Sequence, residues 1–466
     1  MRTTTMRTVL TAVAVLALAV TTAASITLLP YYNDKTGQVE PLVLFTIALW
    51  VLFGLALLAL RRVPTRAAVV LVLAGSVLVG GAAMTGPPNT STDSARYAWD
   101  GIVQRAGISP YDYAPADPAL RELRTEWLFP APVTNAQGET VCEGERILTA
   151  KEPGTGDVLC TAINRSRVTT IYPPASEIVF AIERLIVGPS PEYWPMQLTG
   201  LLVSLGTTVL LVRALLARGR DPRWAALWGW CPLVATEGVT NSHIDILGAM
   251  LVLVAILLVS TRRPWLGGVA LGLAISTKLI PVLGSFALLR RHPVKVILGA
   301  VATFALLYVP YVAASGISVL GYLPGYLGEE GYTTGTRFIL VSAVVPGLAA
   351  TVISGILLAA LAVVVWVKSN PDDPWLAQLV MIGGALLIVT PRYPWYALLL
   401  VPMIAMTGRW EWLLVPLALT ERLLFPPVEV ARVTVAIAIV GILVVTWLRA
   451  RSARSLGSRT DLVTER

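Results

Sequence analysis

The stretch TDSARYAWDG at residues 92–101 is polar and directly follows a long apolar run at residues 66–85. Within it, Asp93, Arg96, Tyr97 and Asp100 are spaced so that they share one face of a helix. The hydroxyl residues at 90–92 can cap this helix, which places Asp93 in the first turn, where the helix dipole favours an ionised carboxylate. A short polar helix beside an apolar one indicates a helix at a membrane surface.

The composition of the whole chain also indicates a membrane protein. Of its 466 residues, 55% are hydrophobic and only 14% are charged, whereas soluble domains carry about 25% charged residues. Apolar runs close to the length needed to cross a bilayer recur along the chain. We therefore predict an all-α polytopic membrane protein with roughly twelve to fourteen transmembrane helices.

The distribution of basic residues predicts the topology. Arginines and lysines lie in the loops at one end of the alternating spans and at both termini, so this end and the termini are expected to be cytoplasmic. Topology also accounts for the net charge of +8, and no nucleic-acid partner is expected. The extracytoplasmic side of the plasma membrane then holds the loops at 86–175, 239–244 and 391–394. We predict one membrane domain, residues 1–448, and a basic, disordered cytoplasmic tail, residues 449–466.

The long polar loop at 86–175 contains several prolines and is too irregular for an independent domain. We expect it to carry short helices that lie on the membrane rim. Cys142 and Cys160 both fall in it. They can form a disulfide if the loop is extracytoplasmic; the alternative is two unrelated free thiols.

Asp93 is the first candidate for chemistry, because an ionised carboxylate is the group needed to deprotonate a hydroxyl. The alternative is that Asp93 only completes the helix N-terminus. For Asp100 we favour a salt bridge to Arg96 over a catalytic role. Tyr172 precedes two prolines, and it either anchors the chain at the interface or shapes a substrate groove.

A second polar cluster, NSHID at residues 241–245, interrupts two apolar segments. Ionisable groups are costly within a membrane, so their presence suggests function. His243 and Asp245 either bind sugar hydroxyls or form a self-satisfied structural turn. The two histidines of the chain cannot build a histidine-rich metal site.

Two basic side chains are expected near the outer leaflet, where the positive-inside rule does not explain a positive charge. Lys278 lies in STKLIP and Arg392 in PRYPWY, and both are candidates for binding a lipid phosphate. Lys278 could instead snorkel, and Arg392 could pair with a carboxylate such as Glu237 or Glu429. The neighbouring residues Trp395 and Tyr396 either belong to an aromatic belt, which we favour, or stack on a sugar.

Several motifs are absent from the sequence. It contains no Walker A, GxSxG or HExxH pattern, which argues against ATP-driven, serine-hydrolase and zinc-protease chemistry. No internal repeat is visible, and the polar clusters gather on one side. Both features argue against a transporter or flippase of lipid-linked sugars, a class that typically has inverted repeats.

In five motifs the chain resembles the integral-membrane glycosyltransferases of the C superfamily (GT-C architecture), and in particular the family-87 type of polyprenyl-phosphate-mannose-dependent mannosyltransferases of actinobacteria. In chain order, the motifs are DSARYAWDG with GISPY (93–111), IYPP (171–174), NSHID (241–245), STKLIP (276–281) and YPWY (393–396). The cysteine-containing stretch at about 121–167 is longer than the compact members of this group suggest.

The resemblance implies an inverting enzyme with an extracytoplasmic active site. Asp93 would be the catalytic base, and the donor would be polyprenyl-phosphate-mannose. The acceptor would be a hydroxyl of a cell-envelope glycan or glycolipid, and no metal or cofactor would be needed. Candidate substrate-binding residues are Arg96, Tyr97, Asp100, Tyr172, His243, Asp245, Lys278, Arg392, Trp395 and Tyr396. An arabinofuranosyltransferase on the same scaffold is the main alternative, because the sequence does not distinguish the sugars.

Overall fold

The computed structural model describes residues 2–29, 31–32 and 39–464 of the chain. Helices dominate it, as the sequence predicts. The α-helices are α1 (Arg2–Thr27), α2 (Val39–Leu60), α3 (Thr65–Ala82), α4 (Asp93–Arg105), α5 (Pro174–Val187), α6 (Trp194–Ala217), α7 (Ala226–Gly229), α8 (Asp245–Ser260), α9 (Pro264–Thr277), α10 (Pro293–Ser315), α11 (Leu323–Glu329), α12 (Leu348–Lys368), α13 (Trp375–Val389), α14 (Val401–Thr407), α15 (Leu414–Leu424) and α16 (Val428–Thr464). A π-helix spans Val234–Thr240, and short 3-10 segments include Pro118–Leu123, Ile280–Gly284 and Pro394–Leu399.

The long apolar helices make the chain a polytopic membrane protein. Among the described residues, seven helices are long and apolar enough to cross a membrane, or eight if the bent pair Val234–Thr240 and Asp245–Ser260 is one span. By this measure the structure has fewer spans than the twelve to fourteen predicted. The difference arises because several apolar runs form only short helices, such as Pro264–Thr277, Trp375–Val389 and Pro394–Thr407.

The helices pack in chain-neighbour groups around one large apolar core. Helix α1 contacts α2 and α3, and α9 contacts both α8 and α10. Close approach requires glycine at some crossings: a Cβ on Gly268 would lie 2.5 Å from the carbonyl oxygen of Val296. The core therefore depends on small residues as well as on large apolar ones, as is typical of packed membrane helices.

The last helix extends into the C-terminal tail, whose disorder stays a prediction. Helix α16 begins in the last apolar run and continues to Thr464; residues 465–466 of the predicted tail lie outside the described residues. The stretch 449–464 contains a single glycine and no proline, so no strong helix breaker stops a helix that is already nucleated in the preceding span.

The polar region between α3 and α6 contains the strands of the structure. Strand β1 (Val133–Thr134) pairs with β2 (Thr140–Val141), and β3 (Leu148–Lys151) pairs with β4 (Val158–Thr161), both antiparallel. Cys142 and Cys160 form a disulfide here. Helix α4 ends at Arg105, and Gly107 has a φ of 79°, so a turn follows this helix. Helices α4 and α5 pack against each other and frame the site described next.

Candidate active site

Asp93 is the first residue of α4, and its side chain lines a cavity. Ser91 Oγ accepts a hydrogen bond from the Asp93 backbone N–H at 3.2 Å, whereas the N-cap residue Thr92 makes no side-chain capping hydrogen bond. Asn164 Nδ2 donates to Asp93 Oδ1 at 2.7 Å. The Asp93 side chain is 16% exposed, so its carboxylate is largely enclosed but can still meet a substrate.

His243 lies behind this carboxylate and is fully buried. Its Nε2 lies 3.2 Å from Ser91 Oγ and 3.7 Å from Asp93 Oδ2. On the other side of the ring, Nδ1 lies 3.2 Å from Glu237 Oε2. The imidazole also stacks on Trp395, with ring centroids 3.8 Å apart. His243 therefore contacts both the Asp93 carboxylate and the ring of Trp395 from the protein interior.

Asn241 forms hydrogen bonds that connect the segment before α4 to the break between the π-helix and α8. Its Oδ1 accepts hydrogen bonds from the backbone N–H groups of Asn89 and Thr90, each at 3.2 Å, and its Nδ2 donates to Thr90 Oγ1 at 2.7 Å. The break itself bends the two helices by 112°, and Ser242 adopts a left-handed φ of 58°. The break in the helix thus brings the predicted NSHID cluster next to Asp93.

Lys278 lies at the end of α9, where the helix stops in an extended residue. Its Nζ forms a 2.6 Å salt bridge with Asp245 Oδ2 and lies 4.7 Å from the Tyr396 ring centroid. The Tyr396 hydroxyl is 2.8 Å from that of Tyr326. The ammonium group is thereby held at the cavity wall by a carboxylate and an aromatic face.

These groups surround a cavity of about 390 Å³, which we call the main cavity. It is lined by residues of three kinds. Polar and charged residues include Thr90, Ser91, Thr92, Asp93, Arg96, Asn164, Arg165, Thr169 and Lys278; aromatic residues are Tyr31, Tyr172, Tyr326, Tyr332, Tyr393, Trp395 and Tyr396; apolar residues include Leu148, Val168, Ile171, Leu279, Ile280, Leu323 and Leu327. Its mixed lining suits a ligand with both polar and apolar parts.

Arg96 and Asp100 form a buried salt bridge, with Arg96 Nε 2.8 Å from Asp100 Oδ1. This is the alternative that we favoured for Asp100 from the sequence. Burial raises the pKa of Asp100, while the Arg96 guanidinium opposes that shift. Arg96 also donates to the Val168 carbonyl at 3.0 Å and lines the main cavity, whereas the side chain of Asp100 is only 2% exposed.

Tyr97 and Tyr172 contribute mainly to packing between α4 and α5. The Tyr97 ring stacks on Phe180 at 4.5 Å, and the Tyr172 hydroxyl donates to the Tyr97 hydroxyl at 3.3 Å. Burial raises the pKa of both tyrosines, and the Asp93 charge acts in the same direction. Tyr172 reaches the main cavity, but Tyr97 is completely buried beneath it.

Arg392 does not line the main cavity, unlike Lys278, the other cation predicted from the sequence. It is exposed, and its guanidinium lies 5.9 Å from the centroid of the Tyr393 ring. The two carboxylates considered as its partners are engaged elsewhere, Glu237 with His243 and Glu429 with Arg432. The short turn after α13 directs Tyr393, Trp395 and Tyr396 inwards instead.

Sequence reasoning missed several residues of the site. Asn164, Arg165 and Tyr326 lie in loops or in a short helix, and no spacing rule connects them to Asp93. Arg165 lines the main cavity beside a salt bridge to Glu329 at 2.9 Å. Tyr31 also lines it; burial and the nearby Asp93 carboxylate raise the pKa of Tyr31 to about 12. For Tyr326 alone there was a signal, the Gly/Tyr-rich composition of the loop at 321–337.

Comparison with known protein families gives one match. Residues 170–391 match the model of glycosyltransferase family 87. The match indicates a glycosyltransferase. The matched range includes Tyr172, His243, Asp245 and Lys278, whereas Asp93 precedes it. Neither the curated proteins nor the solved structures contain a match to the chain.

Proposed function

We propose that this glycosyltransferase moves mannose from polyprenyl-phosphate-mannose to a hydroxyl of a cell-envelope glycan or glycolipid. The proposal rests on one observation: the Asp93 carboxylate lines the same cavity as the cationic side chains of Lys278 and Arg165. One acid and two cations are the groups that an inverting transfer from a lipid phosphate requires. The aromatic lining of the same cavity suits the faces of a sugar ring.

In the proposed reaction, the acceptor oxygen attacks C1 of the donor sugar from the side opposite the phosphate. The C1–O bond to the phosphate breaks as the new C1–O bond forms, so the anomeric configuration inverts. The acceptor proton goes to Asp93, which acts as general base. The bond electrons leave with the polyprenyl phosphate, which gains one negative charge.

The leaving phosphate needs electrostatic stabilisation rather than a proton, because phosphate is a good leaving group. Lys278 and Arg165 are our candidates for this role, since both line the main cavity and cations placed where charge develops lower the barrier. Arg392, the second candidate from the sequence, is replaced by Arg165 because it lies outside this cavity. Asp245 would hold the Lys278 ammonium in place through their 2.6 Å contact.

The orientation in the membrane is also part of the proposal. The main cavity lies at one end of the helix bundle, where the N-terminus of α4 and the turn at 390–396 are found. The basic loops at 61–66, 262–263 and 290–291 connect helices at the other end of the bundle. By the positive-inside rule, the cavity then faces the extracytoplasmic side of the plasma membrane and both termini are cytoplasmic. Lipid-linked sugars would enter from the bilayer.

The test is the transfer of radiolabelled mannose from polyprenyl-phosphate-mannose to a short α-mannoside by purified protein. Asp93→Asn should lower the rate by at least about 10²-fold, as expected for loss of a general base. Asp112→Asn is the matched control, because Asp112 is an exposed carboxylate of the same polar region and lies outside the main cavity.

Wild-type activity in Asp93→Asn would contradict the assignment of the base. Transfer of arabinose but not mannose, in a parallel reaction with polyprenyl-phosphate-arabinose, would replace the proposed donor while keeping the mechanism. The absence of transfer from either donor to any of a panel of mannoside and arabinoside acceptors would overturn the proposed function.

A further inference from the structure

Residues 106–169, which make up most of the segment between α4 and α5, form part of the main cavity, and we call them the insert. It contains both β-hairpins and the disulfide, and it ends just before the family-matched range at 170–391. Leu148, Asn164 and Arg165 of the insert line the main cavity. The insert therefore supplies part of the site that the family match does not cover.

Hydrogen bonds made by the residues just before and just after Asn164 in the chain fix its position. Before it, the Ala162 backbone N–H donates to the Leu128 carbonyl at 2.9 Å, and that of Ile163 donates to Thr161 Oγ1 at 3.1 Å. After it, the Ser166 carbonyl accepts a hydrogen bond from the backbone N–H of Ala116 at 2.8 Å. The fold of the insert thus fixes this loop where Asn164 meets the start of α4.

The contact between Asn164 and Asp93 distinguishes the two carboxylate oxygens. Oδ1 accepts the Asn164 amide hydrogen at 2.7 Å, whereas Oδ2 lies 3.7 Å from His243 Nε2, beyond hydrogen-bond distance. An oxygen that already accepts a short hydrogen bond is the poorer proton acceptor. The oxygen left to receive a proton is therefore Oδ2.

We propose that Asn164 is a positioning residue that orients the Asp93 carboxylate, so that Oδ2 receives the proton of the acceptor hydroxyl. This inference rests on the proposed function. The amide has two physical effects. It restricts rotation of the carboxylate, and its hydrogen bond occupies Oδ1, which leaves Oδ2 to receive the proton. Both effects act on the base and neither requires Asn164 to touch the reacting atoms.

Two substitutions at this position test the proposal in the mannose-transfer assay. Asn164→Ala removes the donor and should lower kcat by about ten- to hundred-fold, the loss expected for a hydrogen bond to a charged group. The KM for the polyprenyl-phosphate donor should stay within about two-fold. This limit on KM separates the positioning role from a structural one, because a disturbed cavity would weaken donor binding as well.

Asn164→Asp keeps the size of the side chain but replaces the amide donor with a second carboxylate. It should lower kcat at least as far as Asn164→Ala does, because an ionised carboxylate only accepts hydrogen bonds and cannot donate one to Oδ1. Asn135→Ala is the matched control: Asn135 lies in the same insert, but its amide donates to the exposed Glu139 at 3.1 Å. This control should reproduce the wild-type kcat.

The outcomes separate this proposal from the proposed function. If the wild type transfers the sugar and Asn164→Ala has the same kcat, the positioning role is wrong and the function stands. If kcat falls and the KM for the donor rises more than about two-fold in both variants, Asn164 is merely structural and the proposal is overturned. If the wild type transfers no sugar, the proposed function is overturned, and the positioning role with it.

A double-mutant cycle of Asn164→Ala with Asp93→Ala provides a readout that does not depend on activity. Their combined effect on the unfolding equilibrium constant should differ from the product of the single effects by about ten-fold, because the two side chains are in direct contact. Independent effects would show that the contact is absent and would refute the proposal even if Asn164→Ala were inactive.

Discussion

Glu183 lies on α5, outside the seven long apolar spans, and its carboxyl group is buried. Its Oε2 accepts a hydrogen bond from Thr199 Oγ1 at a long 3.4 Å, and its Oε1 is buried without a hydrogen-bond partner. Burial raises its pKa from an ordinary 4.5 to about 7, although the neighbouring Arg184 cation opposes the shift. Folding should therefore favour the protonated form of this carboxyl group.

The sign and size of the effect on stability follow from proton linkage. Between pH 4.5 and about 7 the folded state binds more protons at this site than the unfolded state does, so the free energy of unfolding falls as the pH rises. At 1.36 kcal/mol per pH unit, the loss approaches roughly 3 kcal/mol and is complete above pH 7. Glu183→Gln, which stays neutral, should remove this dependence and be the more stable protein at pH 8.

The assay is denaturant unfolding in detergent at several values between pH 4 and pH 8, for the wild type and Glu183→Gln. The difference between the two curves isolates Glu183, because the other titrating groups contribute to both proteins. Glu192→Gln, a change at an exposed carboxylate just after α5, should shift the free energy of unfolding by no more than about 0.5 kcal/mol. A difference between wild type and Glu183→Gln that stays constant with pH would refute the reasoning.

Two further predictions concern the stability of the polar region. Replacing Cys142 and Cys160 together by alanine should lower the free energy of unfolding by about 3 kcal/mol, because the disulfide closes a loop with a sequence separation of 18 and restricts the unfolded chain; a loss below about 1 kcal/mol in denaturant unfolding would contradict this. Gly101→Ala should destabilise the packing of α4 on α5 by about 1–3 kcal/mol, because the new Cβ would lie 2.2 Å from the Phe180 carbonyl oxygen. Gly54→Ala, whose Cβ would meet no atom within 4 Å, is the control in thermal unfolding; equal midpoints for the two variants would show that α4 and α5 can separate without cost.

The apolar composition was enough to predict a helical membrane protein, because crossing a bilayer requires long apolar runs that satisfy their own backbone hydrogen bonds. The number of spans was not predictable in the same way. A run such as residues 264–277 is apolar enough for a span, but its helix ends at Thr277, before the extended residue Lys278. Where a helix stops inside a bundle depends on the neighbours that satisfy its free backbone groups.

For the candidate site, local patterns were informative only over one or two helical turns. Their spacing correctly placed Arg96 and Asp100 within salt-bridge distance, because residues four apart on a helix are neighbours. The same reasoning could not show that Trp395 lines the main cavity and stacks on His243, whereas Arg392, three positions earlier, does not line it. The direction of side chains in an irregular turn depends on backbone angles that composition does not specify.

The sequence alone therefore established the membrane class of the protein and identified Asp93, Arg96 and Lys278 among the polar residues that line the main cavity. Their convergence came from tertiary packing. Asp93 meets Asn164 through the insert and His243 through the break between the π-helix and α8, although these contacts join residues far apart in the chain. Periodicity reports which face of one element a residue occupies, whereas a contact between distant segments depends on how all the intervening elements pack.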